Sequence, residues 1–589
     1  MARRASRIVL FLALAANFQL IAQQPASPSP PASTDPSPTP SPTPQPAPAR
    51  GLADFARQQR AQRDGTTPQT SAPPTGQSPA LSTPAAPQRS LGEIANRQKT
   101  ARRAEVKINE EDLKRLATEI EDILAFAAKD TELPRQAAVK YRLVSEDEVK
   151  KYMETALSSS EEMQRMARSE VVLKKFGYLP QDFSLKTYLV QASATGLGGY
   201  YEPKTKTMNL VNWVGLEQQR PIMAHELTHA LQDQNYDLGK WEHRLHHAAA
   251  MQVVADESIE SDARRAVVEG QAMIVYFDYL LKPYGRTLGD TPHVMDFLKG
   301  GLTSTYDTSL VVRNAPLLFR ETTLFPYREG FMFEMELMQK GGNNLAFAGA
   351  FARPPMSTHE VIEPKAYLEG ERTPTVVIPD LSGVLAKDFE TYDSGTMGEL
   401  DVRILSQQLG SENDMFTVTP NWQGGAYVAV KRKPVSANAA GSAAAVSTPD
   451  IALLYVSRWK TATAAQRFME LYQKSLAKRV GVGDEKPWVP AACSSGAACP
   501  SLRATRVNTN EGPVFLELLP NNTLFIAQSF GEDTANNLRQ VVLARSASHT
   551  TQSAGPELNM QVQGLAAFRA LQAQVAREIR KSLADLLLP

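Results

Sequence analysis

The sequence predicts an α+β fold in two folded parts. Three observations carry that prediction. Apolar residues recur at helical spacing in two long stretches, a Gly-punctuated pair of β-rich runs precedes the second of them, and strand-like runs alternate with helices after Pro379. With 589 residues the chain has room for two to four domains and a sizeable core. Its 63 Lys+Arg balance 63 Asp+Glu, so no overall basic field exists to recruit nucleic acid or an anionic membrane. Hydrophobic residues at 42% and charged residues at 21% are ordinary globular usage, so most of the chain is expected to fold.

The N-terminal stretch is the exception. Arg3, Arg4 and Arg7 precede the apolar run Ile8 to Ala16 and the segment Phe18 to Ala22, the order of a secretory signal over residues 1–23. An uncleaved membrane anchor is the alternative, but the run is shorter than the roughly 20 residues a crossing helix needs. Residues 24–90 are rich in Pro, Ser, Thr, Ala and Gln and hold seventeen of the 40 prolines, leaving little apolar periodicity to bury. They read as an extended spacer, either a passive linker or an arm associated with the cell envelope. The folded parts are then 91–385 and 386–548, followed by 549–589. There Leu565, Phe568, Leu571, Val575, Ile579, Leu583 and Leu586 form one apolar stripe, a docked terminal helix or one that meets a membrane surface or another subunit. The two cysteines, Cys493 and Cys499, lie in a Gly/Ser/Ala loop and read as a small structural disulfide in an exported chain.

Within 91–385, Leu113, Leu116, Ile120, Ile123 and Leu124 mark a helical lead-in. Thr187 to Ala192 and Lys206 to Val211 read as a hairpin around the turn Gly196 to Gly199. A helix is predicted from Pro221, where proline suits a first turn. A second covers Met251 to Leu281, and a third runs from Gly330 to Lys340 before Gly341-Gly342. Beyond Pro379, strands are predicted at Ala426 to Lys431, Ile451 to Val456, Val514 to Leu518 and Thr523 to Ala527. Helices are predicted at Ala462 to Arg479 and Thr534 to Ala544, with a flexible insertion at Ala437 to Ser447.

The chemistry concentrates in Ile222 to Leu231, which contains His225-Glu226-Leu227-Thr228-His229. Histidines at i and i+4 share one helix face and can offer two imidazole nitrogens to one Zn2+, while the adjacent Glu226 reaches a water instead of the metal. Catalytic zinc needs a third protein ligand and an open position. A longer HExxHxxGxxH pattern fails, because Gln232 and Asn235 stand where Gly and His are required. Glu269 is the best supplier: it lies in an apolar stretch where a buried charge is costly unless it meets a cation. Pairing with Arg264 or Arg265 is the bland alternative, and His243, His246 and His247 are rival ligands. Asp262 and Asp233 are candidates to orient a ligand imidazole. Tyr327 and His359 are candidates to donate to an oxyanion.

These residues resemble a zincin metallopeptidase of the gluzincin type, in which HExxH is completed by a glutamate from a later helix. More closely, the chain is similar to exported bacterial proteins that combine a HELTHALQDQ-like helix (His225 to Gln234), a VEGxA element (Val268 to Ala272), FPYxxG (Phe325 to Gly330) and PPxST (Pro354 to Thr358). The likeness spans about residues 195–370. Forty residues separate His229 from Glu269, more than in the best-known gluzincins, and Gln271 stands where the resemblance would have an acid.

The resemblance implies a zincin-like catalytic domain, with a short edge-strand sheet, the HExxH helix and a second ligand helix, followed by a smaller α+β domain. It implies peptide-bond hydrolysis with zinc on His225, His229 and Glu269, Glu226 as general base, and a peptide or protein substrate laid by β-augmentation along an edge strand at Lys206 to Val211, which Tyr200 and Tyr201 flank. The expected place of action is the periplasm or the exterior. The rival expectation is an inactive scaffold of the same shape that binds or assembles partners at the cell envelope.

Overall fold

In this computed structural model, the structure describes residues 108–149, 160–188, 198–241, 257–290, 315–371, 376–433, 446–490 and 501–548, all within one compact unit. The predicted signal, the spacer, both cysteines, His243, His246, His247 and the terminal stripe lie outside them. The fold is mixed α+β with two sheets. Among the described residues no helix is long and apolar enough to cross a membrane.

Helix α1 (Glu110–Thr131) starts at Asn109. Its side chain accepts from the N–H groups of Glu111 and Asp112, while Asp112 accepts from the Asn109 N–H at 3.1 Å. This reciprocal cap, with three acidic residues in the first turn, satisfies donors the helix leaves open. Strand β1 (Lys140–Val144) follows, then α2 (Ser160–Phe176), β2 (Gly199–Glu202), β3 (Thr207–Val211) and α3 (Leu216–Tyr236). The β1-β3-β2 sheet has β3 in its centre, parallel to β1 and antiparallel to β2. Lys206 to Val211 is therefore not an edge; the outer strands are β1 and β2. The first arm predicted for the hairpin also differs. Thr187 and Tyr188 close a helical turn whose Ser184 hydroxyl caps the Thr187 N–H, a local bond that overrides their β preference, and 189–192 lie outside the described residues.

Helix α3 begins five residues before Pro221, so the proline sits in its second turn and removes one i→i−4 bond. Tertiary contacts hold this end: Gln219 Nε2 donates to Val211 O at 2.9 Å, and Arg220 makes a two-pronged pair with Glu119 of α1. Every residue from Pro221 to Asp233 is buried. From Ile222 to Leu231 the run is uncharged but for His225, Glu226 and His229, which suits a helix enclosed by α1, the sheet and α4 (Glu257–Leu281).

Helix α5 (Leu317–Asn344) starts well before the predicted Gly330, because Pro326 does not end it. The Thr322 carbonyl that Pro326 leaves without its helical donor is approached by Arg265 NH2 of α4 at 3.5 Å. The predicted stop is real at backbone level: Gly341 and Gly342 leave helical geometry, with φ 66° at Gly342, before a π-turn over Leu345–Gly349. Where α4 crosses α5, a Cβ on Gly270 would fall 2.3 Å from the Gly330 carbonyl, and one on Gly330 would fall 2.2 Å from the Ala266 carbonyl. The glycines of the VEGxA and FPYxxG segments thus meet backbone to backbone. Only hydrogen side chains permit that approach.

A short helix α6 (Thr358–Ile362) leads to the second sheet: β4 (Phe389–Met397), α7 (Glu399–Leu409), α8 (Glu412–Val418), β5 (Trp422–Arg432), β6 (Ile451–Trp459), α9 (Ala462–Val480), β7 (Val482–Pro487), β8 (Arg503–Thr509), β9 (Gly512–Leu519), β10 (Thr523–Gln528) and α10 (Glu532–Ser548). Its order is β4-β5-β6-β10-β9-β8-β7, antiparallel throughout. The period of two splits each inner strand: Leu453 and Tyr455 join the core that continues under α3 and α4, whereas Leu454 and Val456 join a second core under α10. Lys175 of α2 secures the junction. Its Nζ donates to Thr448 O, Glu511 Oε2 and Ser529 Oγ at 2.7 to 2.9 Å, so the buried ammonium spends all three protons.

Two substitutions test this packing. Gly330→Ala forces a methyl into backbone and should lower stability by about 3 kcal/mol or more, read by denaturant unfolding. On α4, burial and then the charge of facing Asp130 push Asp278 up to about 8, against the Leu288 N–H that it accepts. The native chain keeps that proton where the unfolded chain has lost it, so stability falls as pH rises from the ordinary carboxylate range toward 8. Asp278→Asn should therefore raise the melting temperature at pH 8 and raise it less at pH 5.

Candidate metal centre

Helix α3 presents His225 and His229 one turn apart, and α4 lays Glu269 against them. His225 Nε2 and His229 Nε2 are 3.0 Å apart, and Glu269 Oε2 is 3.2 Å from the first and 3.3 Å from the second. All three side chains are buried at 0 to 1% exposure. Among the described His, Cys, Asp and Glu residues, these three bring their donor atoms together as a cation-holding group. A tetrahedral zinc with bonds of about 2.0 to 2.1 Å has donor–donor edges of about 3.3 to 3.4 Å. The observed triangle of 3.0 to 3.3 Å is close to one face of that tetrahedron. Two imidazoles and a carboxylate are also a donor set that suits zinc chemically. Burial holds His225 below its ordinary value despite the opposing Glu269 carboxylate, and neighbouring His229 adds to the lowering. A neutral imidazole is the form that donates a lone pair to a metal.

The rest of the motif helix has identifiable work. Glu226 Oε2 accepts the Tyr201 backbone N–H of β2 at 2.7 Å, aligning the carboxylate beside the histidines. Gly199 permits the strand to lie that close, since a Cβ there would fall 3.0 Å from Ile222 Cγ2. Asp233 accepts from Tyr201 Oη at 2.9 Å, Lys206 Nζ at 2.6 Å and the Leu238 N–H at 3.1 Å, so it anchors the end of α3 to the sheet and to the next turn. The residue that meets His229 Nδ1, at 2.8 Å, is instead Gln232 Oε1. Gln234 and Asn235 bond the segment between α1 and β1: Gln234 Oε1 accepts from the Gln136 N–H, and Asn235 Nδ2 donates to Pro134 O.

Of the other predicted residues, Tyr327 comes close. Its ring lies face to face with that of His225, centroids 6.3 Å apart and planes 23° from parallel, carried there by the α5 turn that contains Pro326. His359 has different company: its Nδ1 pairs with Glu399, and its further electrostatic neighbours are Lys460 and Glu371. Asp262 Oδ1 lies 3.5 Å from Arg265, while Arg264 pairs with Glu260 and donates to Trp241 O.

Sequence reasoning missed Gln232 as the partner of His229, Tyr201 as the holder of Glu226, and the buried Gln271 and Glu334. Gln232 alone had a local signal, its i+3 position on the face of His229. Glu334 of α5 is fully buried beside Gln271; burial pushes its carboxyl well above the usual range, an effect that the neighbouring amide opposes.

No family model, curated protein or solved structure matches this chain.

The geometry predicts about one tightly held zinc per chain. Glu269→Ala should weaken zinc binding by more than ~100-fold, because a two-histidine site lacks the charge and the third donor. Metal analysis after dialysis against a competing chelator measures it.

Proposed function

We propose that the chain is an exported zinc-dependent metallopeptidase with a zincin-like catalytic part formed by β1-β3-β2, α3 and α4. The observation that carries this reading is the buried triangle of His225 Nε2, His229 Nε2 and Glu269 Oε2, spaced at 3.0 to 3.3 Å. Export rests on the order of basic, apolar and small residues at the start of the sequence.

When bound, zinc would supply Lewis acidity at its open coordination position. The chain's own residues do the remaining work. Glu226, held by the Tyr201 N–H, accepts a proton from water as the water oxygen attacks the peptide carbonyl carbon, then hands that proton to the amine nitrogen as the C–N bond breaks. Tyr327 is the candidate donor to the developing oxyanion, supported by its nearness to His225; the bond of His359 to Glu399 argues against His359 in that role. With β3 central in its sheet, an extended substrate would lie along the outer side of β2, where the Tyr201 N–H meets Glu226. The inactive-scaffold reading has no observation of its own in favour, since every member of HExxH is present and the third donor is in contact.

Glu226→Gln provides the test. It keeps the oxygen that accepts the Tyr201 N–H but cannot take a proton, so zinc content should stay near one per chain while hydrolysis of a casein or mixed-peptide substrate falls at least ~1,000-fold. Equal turnover by the variant and the wild type would overturn the mechanism.

A further inference from the structure

Between His229 and the π-turn after α5 runs an unbroken series of side-chain amides. His229 Nδ1 lies 2.8 Å from Gln232 Oε1. Gln232 Nε2 lies 3.1 Å from Val268 O and 2.9 Å from Gln271 Oε1. Gln271 Nε2 in turn lies 2.8 Å from Ala346 O and 3.1 Å from Phe347 O. Gln232 and Gln271 are fully buried.

The direction of this series is forced at two places, the Val268 carbonyl and the carbonyls at its far end. Carbonyl oxygens only accept, so the group of Gln271 facing Ala346 and Phe347 must be its NH2, which turns its oxygen toward Gln232. Gln232 must then meet Gln271 and the Val268 carbonyl with its own NH2, which turns its oxygen toward His229. An oxygen facing Nδ1 requires a proton there. A neutral His229 is left with its lone pair on Nε2, the atom that faces His225 and Glu269. Reversing Gln232 would set its oxygen against the Val268 carbonyl, and reversing Gln271 would set its oxygen against the carbonyls of Ala346 and Phe347.

We propose that Gln271, which is hydrogen-bonded to neither histidine, is a positioning residue that helps fix the tautomer of His229 through Gln232, so that the carbonyls of Val268, Ala346 and Phe347 together decide which imidazole nitrogen is free to bind metal. The use of that nitrogen rests on the zinc reading above; the tautomer itself does not. Gln271 also sits two residues from Glu269 on α4. One helix segment therefore delivers the carboxylate and orients the imidazole facing it.

The experiment uses the whole chain with 15N-labelled histidine, stripped of metal and held at pH 8, where long-range 1H–15N correlations distinguish the two neutral tautomers. His229 is assigned by loss of its signal in His229→Gln. The expected result is an Nδ1–H form with a slowly exchanging ring proton. An Nε2–H form overturns the proposal without any variant having to fold, and whether or not the chain binds zinc. Zinc affinity by chelator competition then separates the roles. Gln232→Met, which removes the acceptor facing Nδ1–H, and Gln271→Met should each raise the Kd by about 10- to 100-fold. Cobalt-substituted Gln271→Met should also show shifted visible bands. A folded Gln271→Met with wild-type tautomer, Kd and cobalt spectrum overturns the role of Gln271. A wild-type chain that binds no zinc at all overturns the metallopeptidase reading while leaving the tautomer result to stand or fall by itself.

Discussion

A carboxylate taken wholly out of water must be matched by positive charge or surrender its own. Glu269 is that carboxylate, at 0% exposure and within 3.3 Å of two imidazole nitrogens. Much of the first folded part serves to make the burial tolerable. Helix α3 supplies the two nitrogens, the β1-β3-β2 sheet and α1 close over the other faces of α3, and α5 supports α4 from behind. The arrangement needs α4 and α5 nearly in backbone contact, which the paired glycines 270 and 330 allow. A longer side chain at either position would force the crossing apart.

That dependence explains why polar groups in this region come in satisfied series instead of as isolated contacts. At such burial a hydrogen bond left unmade costs more than one made contributes. Gln232 and Gln271 use both ends of their amides, and Asp233 accepts from three donors. Burial shifts the Glu334 carboxyl toward the neutral form, against the opposing bond of the Gln271 amide. The second sheet contributes support of another kind. Its inner face continues the core of the first part, and Lys175 and Phe176 of α2 are seated in it, Phe176 edge-on to Tyr427 and Tyr455.

Much of the local architecture was legible in the residues alone. The strands from Ala426, Ile451, Val514 and Thr523 and the helices from Ala462 and Thr534 all lie inside observed elements, because alternation of period 2 or 3.6 is written in neighbouring residues. The third predicted helix was started too late, at Gly330, because contacts from elsewhere carry it back through Pro326: Arg265 comes within 3.5 Å of the carbonyl that the proline frees, and Ala266 requires the glycine. Strand β4 and helices α7 and α8 were not found, although α7 carries a helical apolar stripe at Leu400, Ile404 and Leu405.

The sequence by itself determined which residues share a face. His225 and His229 had to point the same way once they lay on one helix, and Glu269 could only be an expensive charge in an apolar stretch. Tertiary structure alone decided what those groups meet. The separations are 44 residues for His225 to Glu269, 25 for Tyr201 to Glu226 and 39 for Gln232 to Gln271. Helical and strand periods say nothing across such gaps, because the meeting depends on how whole elements pack. The centre of the three-stranded sheet went to β3 for the same reason: β1, more than sixty residues upstream, pairs with its far side.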